Sequence, residues 1–225
     1  MSDPRTSTSG DLVGRLVADL APVRPVRSGR MVAIAVALEI AVVLVVAWLF
    51  GFHMARPERI FDPAFAGLLG ALAAGAVASA RTMTMLSVPG RPVSRALRAF
   101  VLALPPVLAV AMIVFSPWGG SFHGFAAVVV EGFGCTKNTL LVATPAWLAG
   151  LLFLRRLAPL DPLRVGLFSA CAALLAAAVV VQMACPSCDS WHLAISHYVP
   201  LLVAAWVAAM LSPVVLSLRA PESRS

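Results

Sequence analysis

Charge is what this sequence has least of. Only 12% of its 225 residues are Asp, Glu, Lys or Arg, against roughly 25% in soluble domains, while 60% are hydrophobic. Long polar stretches are absent too: the longest is the first 30 residues, so no separate soluble domain fits. A cleavable leader is not expected either. Asp3, Asp11 and Asp19 precede the first apolar run, and no small-residue cleavage site follows Phe52. Together these absences leave an integral membrane protein. A net charge of +7 would suggest nucleic acid in a soluble chain, but here the arginines punctuate apolar runs and read as topology signals. With the basic residues split among short loops, no direct nucleic-acid contact is expected.

Six apolar runs are each long enough to cross a hydrocarbon core about 30 Å thick at roughly 1.5 Å per residue. They fall near 31–52, 64–88, 99–117, 138–154, 165–184 and 198–218, followed by a tail over 219–225. The expected fold is all-α, a bundle of six transmembrane helices. Its orientation follows from the basic residues. One side carries five within residues 1–30, four from Arg81 to Arg98, three at Arg155, Arg156 and Arg164, and two in the tail, fourteen in all. The other carries three, Arg56, Arg59 and Lys137. Positive residues stay inside, so both termini are expected in the cytoplasm, with Trp48, Trp118 and Trp191 at the outer interface.

Within the polar first 30 residues one stretch is patterned. Thr8 to Asp11 is a capping-box variant, and Leu12, Val13, Leu16, Val17 and Leu20 follow at helical spacing, closed by Pro22 and Pro25. Such a short amphipathic helix can lie on the lipid surface or lay its stripe in the groove of a partner; both need the same residues.

Inside the spans, Gly67, Ala71, Gly75 and Ser79 form a small-residue stripe that lets another helix come close. Pro105-Pro106, Pro145 and Pro213 read as kinks rather than as the broken helices of a transporter. Glu39 and Arg81 sit at matching depths, roughly 12 Å and 10 Å from the inner ends of the first two spans. An ion pair between them would offset part of the about 2.5–3.5 kcal/mol that each intramembrane charge costs. The alternative is that Arg81 snorkels inward while Glu39 stays uncharged inside the bundle.

The reactive side chains gather on the outer side: all four histidines, and Cys135, Cys185 and Cys188. Cys171 alone lies within a span and reads as packing. Cys185-x-x-Cys188 permits a structural disulfide, a cycling redox pair that includes Cys135, or a soft-metal site whose candidates are Cys185, Cys188 and His192. His192 and His197 are five residues apart, which on an α-helix does not align them on one face. Three outer cysteines leave one unpaired in any single-disulfide arrangement.

The order of these features resembles the NrsF-type membrane anti-sigma factors, a bacterial family. Leu12 to Pro25 reads L-V-x-x-L-x-x-x-L-x-P-V-R-P; Val88 to Pro92 reads V-P-G-R-P; Gly134-Cys135 opens the fourth span; Leu157 to Leu160 reads L-A-P-L; and Cys185 to Pro200 reads C-P-x-x-x-S-x-H-x-x-x-x-H-x-x-P. The resemblance implies an inner-membrane protein whose cytoplasmic N-terminal segment, residues 1–30, holds an extracytoplasmic-function sigma factor inactive. It further implies a sensing cysteine in each of two periplasmic loops, positions matched by Cys135 and Cys185. Cys188 departs from the pattern and leaves open which partner Cys185 takes; His192 and His197 match family positions to which no role is attached. No cofactor and no catalysis are expected. Two rivals stand beside this reading. A membrane thiol oxidoreductase would need a second reactive pair or a quinone site, and a soft-metal transporter would need cysteines along its path.

Overall fold

The computed structural model describes residue 14 and residues 28–217 other than 89, 91, 116, 117, 121, 123, 156, 158 and 188. The stripe Leu12, Val13, Leu16, Val17 and Leu20, and Cys188, lie outside the described residues. Among the described residues all regular structure is helical, and six helices are long and apolar enough to cross a membrane. They are α1 (Ser28–Leu49), α2 (Pro63–Leu86), α3 (Arg95–Phe115), α4 (Phe125–Arg155), α5 (Pro162–Ala184) and α6 (Ser190–Ser217). A short 3-10 turn, Pro57–Phe61, leads into α2.

Local chemistry sets several of these ends. Asp62 and Asp161 each precede a proline that occupies the first helical position, where the missing N–H is no loss. The Asp62 side chain accepts from the Ala64 amide and that of Asp161 from the Arg164 amide, which caps α2 and α5. The prolines inside α3, α4 and α6 do not break them, so the discontinuous helices of a transport site are not found there.

α5 is the axis of the bundle, packed against α1, α2, α4 and α6. Its sequence explains why. Ala170, Ala172, Ala173, Ala177 and Ala178 spread small apolar side chains around the whole circumference, and a helix apolar all round is stable only when surrounded. Close approach is achieved by glycine where it is needed. Gly166 faces Ser212 of α6, and Gly75 faces Leu104 of α3 and Leu175 of α5. The small-residue stripe of α2 thus meets the core from Ala71 onward: Ala71 is half-buried against it and Gly75 and Ser79 are buried, whereas Gly67 is exposed with nothing opposite it. The outward faces, by contrast, carry Leu44, Trp48, Phe115, Val130 and Val203, an apolar belt suited to lipid chains.

Two helices depart from the expected spans. α4 begins at Phe125 rather than near 138, and its 31 residues reach about 46 Å, well beyond a hydrocarbon core of about 30 Å. Glu131, Gly132, Gly134 and Lys137 lower the hydropathy of its first half without ending the helix, so Cys135 stands on a projecting helix and not in a loop. α6 begins at Ser190 rather than near 198 for the same reason.

The loops at the cysteine end are tied to one another. Trp118 Nε1 donates to Asp62 Oδ2 at 2.6 Å, Ser190 N donates to the Gly119 carbonyl at 3.1 Å, and Ala55 N donates to the Met183 carbonyl at 3.1 Å. The indole hydrogen bond, followed by the helix cap, holds the Asp62 carboxyl below its ordinary value of 3.8. The folded value is depressed, so this contribution is complete above the ordinary aspartate range and is lost as pH falls through the lower folded value. An acid titration followed by tryptophan emission should therefore show a transition below pH 3.8 that Trp118→Phe lacks; a midpoint at or above 3.8 would contradict it.

Candidate thiol–imidazole site

Four chemically capable side chains converge at the cysteine end of the bundle. Cys135 projects from α4, Cys185 is the C-terminal cap of α5, and His192 and His197 belong to the start of α6. The segment after Cys185 is gripped from a neighbouring loop, with Arg59 donating to the carbonyls of Pro186 and Ser187 at 3.2 and 3.3 Å. Asp189 then starts α6, its Oδ1 accepting from the amides of Trp191 and His192 at 2.8 and 2.9 Å. A capped helix start fixes the direction in which His192 leaves the backbone.

His197 joins it through an irregularity that spacing alone does not reveal. Leu193–Tyr198 is π-helical, and the Val199 amide donates to the Ala194 carbonyl five residues back. In this wider turn, residues five apart come nearer to one face than an α-helix allows. The two imidazole centres are 5.4 Å apart, so the expectation that their spacing separates them is corrected. α4 stabilises the wide turn. Thr136 Oγ1 donates to the Ser196 carbonyl at 2.7 Å, and Ser196 Oγ donates to the Val128 carbonyl at 3.3 Å. Gly132 makes room, since a Cβ there would fall on the Ser196 side chain. Gly132, Thr136 and Ser196 are thus site residues that no motif signals; a glycine, a threonine and a serine in apolar helices are too common to stand out.

The resulting geometry is tight. The Cys135 and Cys185 sulfurs are 3.6 Å apart, Cys185 Sγ is 3.5 Å from His192 Nε2, and ligand atoms of all four residues lie within 4.8 Å of one another. Cys185 is 3% exposed and His197 1%. Neither ring nitrogen of His197 has a hydrogen-bond partner, an arrangement that is costly in a buried imidazole. The sulfur–sulfur hydrogen bond and then burial push the Cys185 thiol above its ordinary range, so it rests protonated. Two chemistries are open to such a cluster. Loss of two protons and two electrons to an oxidant would join the sulfurs, which have to close from 3.6 Å to about 2.05 Å. Alternatively, the four atoms can surround a soft cation.

The structure regroups the metal candidates read from the sequence. Cys185 and His192 meet, the other two places are taken by Cys135 and His197, and Cys188 lies outside the described residues. Cys171 is buried within α5, roughly 20 Å along the helix from Cys185, and takes no part. Among the described residues, a trail of thiols across the bundle is therefore not formed.

Glu39 and Arg81 are not brought together. Arg81 is exposed, whereas Glu39 is buried and turned towards α4 and α5, its Oε1 without a hydrogen-bond partner. A Cβ on Gly150 would lie 3.6 Å from that oxygen and 2.9 Å from the equally unpartnered Ser169 Oγ. Matching depth on adjacent helices does not settle azimuth, and here the two side chains leave on different faces. Replacing Glu39 and Arg81 by glutamine, singly and together, should give stability losses that add to within about 0.5 kcal/mol. A larger coupling energy would restore the pair.

The family described as "NrsF: Negative regulator of sigma F" matches residues 16–217. No curated protein and no solved structure matches the chain. The family match runs over most of a chain with six membrane-length helices: the chain belongs to the NrsF family, the negative regulators of sigma F.

Proposed function

We propose that this membrane-embedded negative regulator holds an extracytoplasmic-function sigma factor at the inner face of the bacterial inner membrane and releases it when its outer thiols sense redox or heavy-metal stress. The sigma-binding element is the amphipathic stripe Leu12, Val13, Leu16, Val17 and Leu20. The excess of arginine on that side supports a cytoplasmic N-terminus and C-terminus. The sensing element is the cluster of Cys135, Cys185, His192 and His197, with Cys188 three residues from Cys185.

The observation that carries this reading is the contact between Cys135 and Cys185, 50 residues apart in the chain and 3.6 Å apart in space. Their sulfurs come from α4 and from the α5–α6 junction. A reaction between them bears directly on how α4 sits against α5 and α6, both of which it packs against. A bundle with two packings is what a thiol event at one end needs in order to hide or expose a helix at the other.

Co-purification tests the partner. The full chain, extracted in detergent, should retain a sigma factor, and the same chain carrying Leu16→Asp and Leu20→Asp should lose it. Equal recovery by both would dismiss the stripe as the binding element.

A further inference from the structure

The four converging side chains have a geometry more specific than a pair of reactive thiols. A tetrahedral ion with metal–sulfur bonds of about 2.3 Å and metal–nitrogen bonds of about 2.0–2.1 Å holds its sulfurs about 3.8 Å apart and each sulfur about 3.6 Å from each nitrogen. The corresponding distances are 3.6 Å between the sulfurs and 3.5 Å from Cys185 Sγ to His192 Nε2. No pair among the four ligand atoms is wider than 4.8 Å.

His197 supplies an independent argument. It is 1% exposed, in a turn kept wide by hydrogen bonds and a glycine on α4, yet both ring nitrogens are unmet. A π-turn is an uncommon conformation that persists where the surroundings over-determine it and often marks a functional position. What this one accomplishes is to turn a second imidazole towards Cys135 and Cys185. Coordination through one nitrogen would supply that ring with a partner.

We propose that Cys135, Cys185, His192 and His197 form a closed, four-ligand site for a soft divalent cation of the zinc and cadmium class. Charge favours this class over a monovalent ion. On binding, each thiol releases its proton to solvent and each neutral imidazole donates a lone pair. A divalent ion with two thiolates then leaves no net charge in a buried setting, where uncompensated charge is expensive. With four protein ligands no position remains for water, so the site is of the structural or sensing kind rather than the catalytic kind. The ion would cross-link α4 to both sides of the α5–α6 junction. The regulatory consequence of that cross-link rests on the sensing role proposed above; the coordination itself does not.

The test uses the full chain, reduced, in detergent or nanodiscs, titrated with cobalt(II) as a spectroscopic stand-in and with zinc in competition. One cobalt per chain is expected, with the intense d–d bands of a tetrahedral ion and sulfur-to-metal charge transfer, all displaced by zinc. His197→Ala and Cys135→Ser should each weaken binding at least about 100-fold, while Cys171→Ser changes nothing. A pale octahedral spectrum, a fractional stoichiometry, or titrations unaltered by either variant would mean an adventitious ion only and would overturn the site. Full binding in Cys135→Ser with loss in Cys188→Ser would overturn this ligand set. Should His197→Ala fold poorly, the spectrum of the unaltered chain and the Cys135→Ser titration still decide. No sigma factor is present in this titration, so its outcome is separate from co-purification: a chain that binds cobalt but no sigma factor refutes the regulatory reading alone, and the converse refutes only the metal site.

Discussion

Cys185→Ser is expected to leave repression intact and to abolish release. In a reporter strain the variant should keep sigma-dependent transcription at its uninduced level under every redox or heavy-metal stress that induces the wild type. Cys185 is the pivot of the cluster, touching both Cys135 and the His192 ring and almost wholly buried. Serine fills nearly the same volume, so the fold should lose on the order of 1 kcal/mol, well within what a bundle of this size tolerates. A hydroxyl, however, forms no disulfide and is a poor ligand for soft ions. The proposed binding stripe, far earlier in the chain, is unaltered. Normal induction in a Cys185→Ser, Cys135→Ser double variant would remove the cluster from the sensing mechanism altogether.

Gly132→Ala should have the largest structural effect of any single methyl group added near the site. The new Cβ falls on Ser196, and His192 Cε1 lies 3.5 Å away, so α4 and the π-turn cannot both stay where they are. Overpacking of this kind costs about 1–3 kcal/mol. The strain should appear as a lower unfolding midpoint in detergent together with weakened coordination at His197. Ser196→Gly removes the obstructing side chain at its own expense, because it forfeits the bond to the Val128 carbonyl and places glycine in a helix, a loss of about 1 kcal/mol. The double variant should therefore be less destabilised than the two singles together, with a coupling of about 0.5–3 kcal/mol. Simple additivity would show that the two positions do not press on each other.

The bundle was legible because hydropathy acts along the chain. Six apolar runs need no knowledge of what packs against what. The same measure faltered at the first half of α4. Hydropathy reports the free energy of transfer into lipid, and Glu131 and Lys137 raise it although the helix continues through them. Azimuth was not legible. Glu39 and Arg81 could be placed at one level, but whether two side chains on neighbouring helices face each other depends on how each helix is rotated, and that is set by its remaining contacts.

Membrane residence, the number of crossings, the clustering of sulfur and imidazole at one end and the family resemblance were all determined by sequence, since each follows from residue type and order. Which of those groups touch was decided by tertiary structure. The helical rise alone cannot bring His197 beside His192; Thr136, Ser196 and Gly132 on a contact between α4 and α6 stabilise the wider turn that does. A backbone irregularity of this kind is a compromise between local hydrogen bonding and long-range packing, so it is not written in any one stretch of the chain.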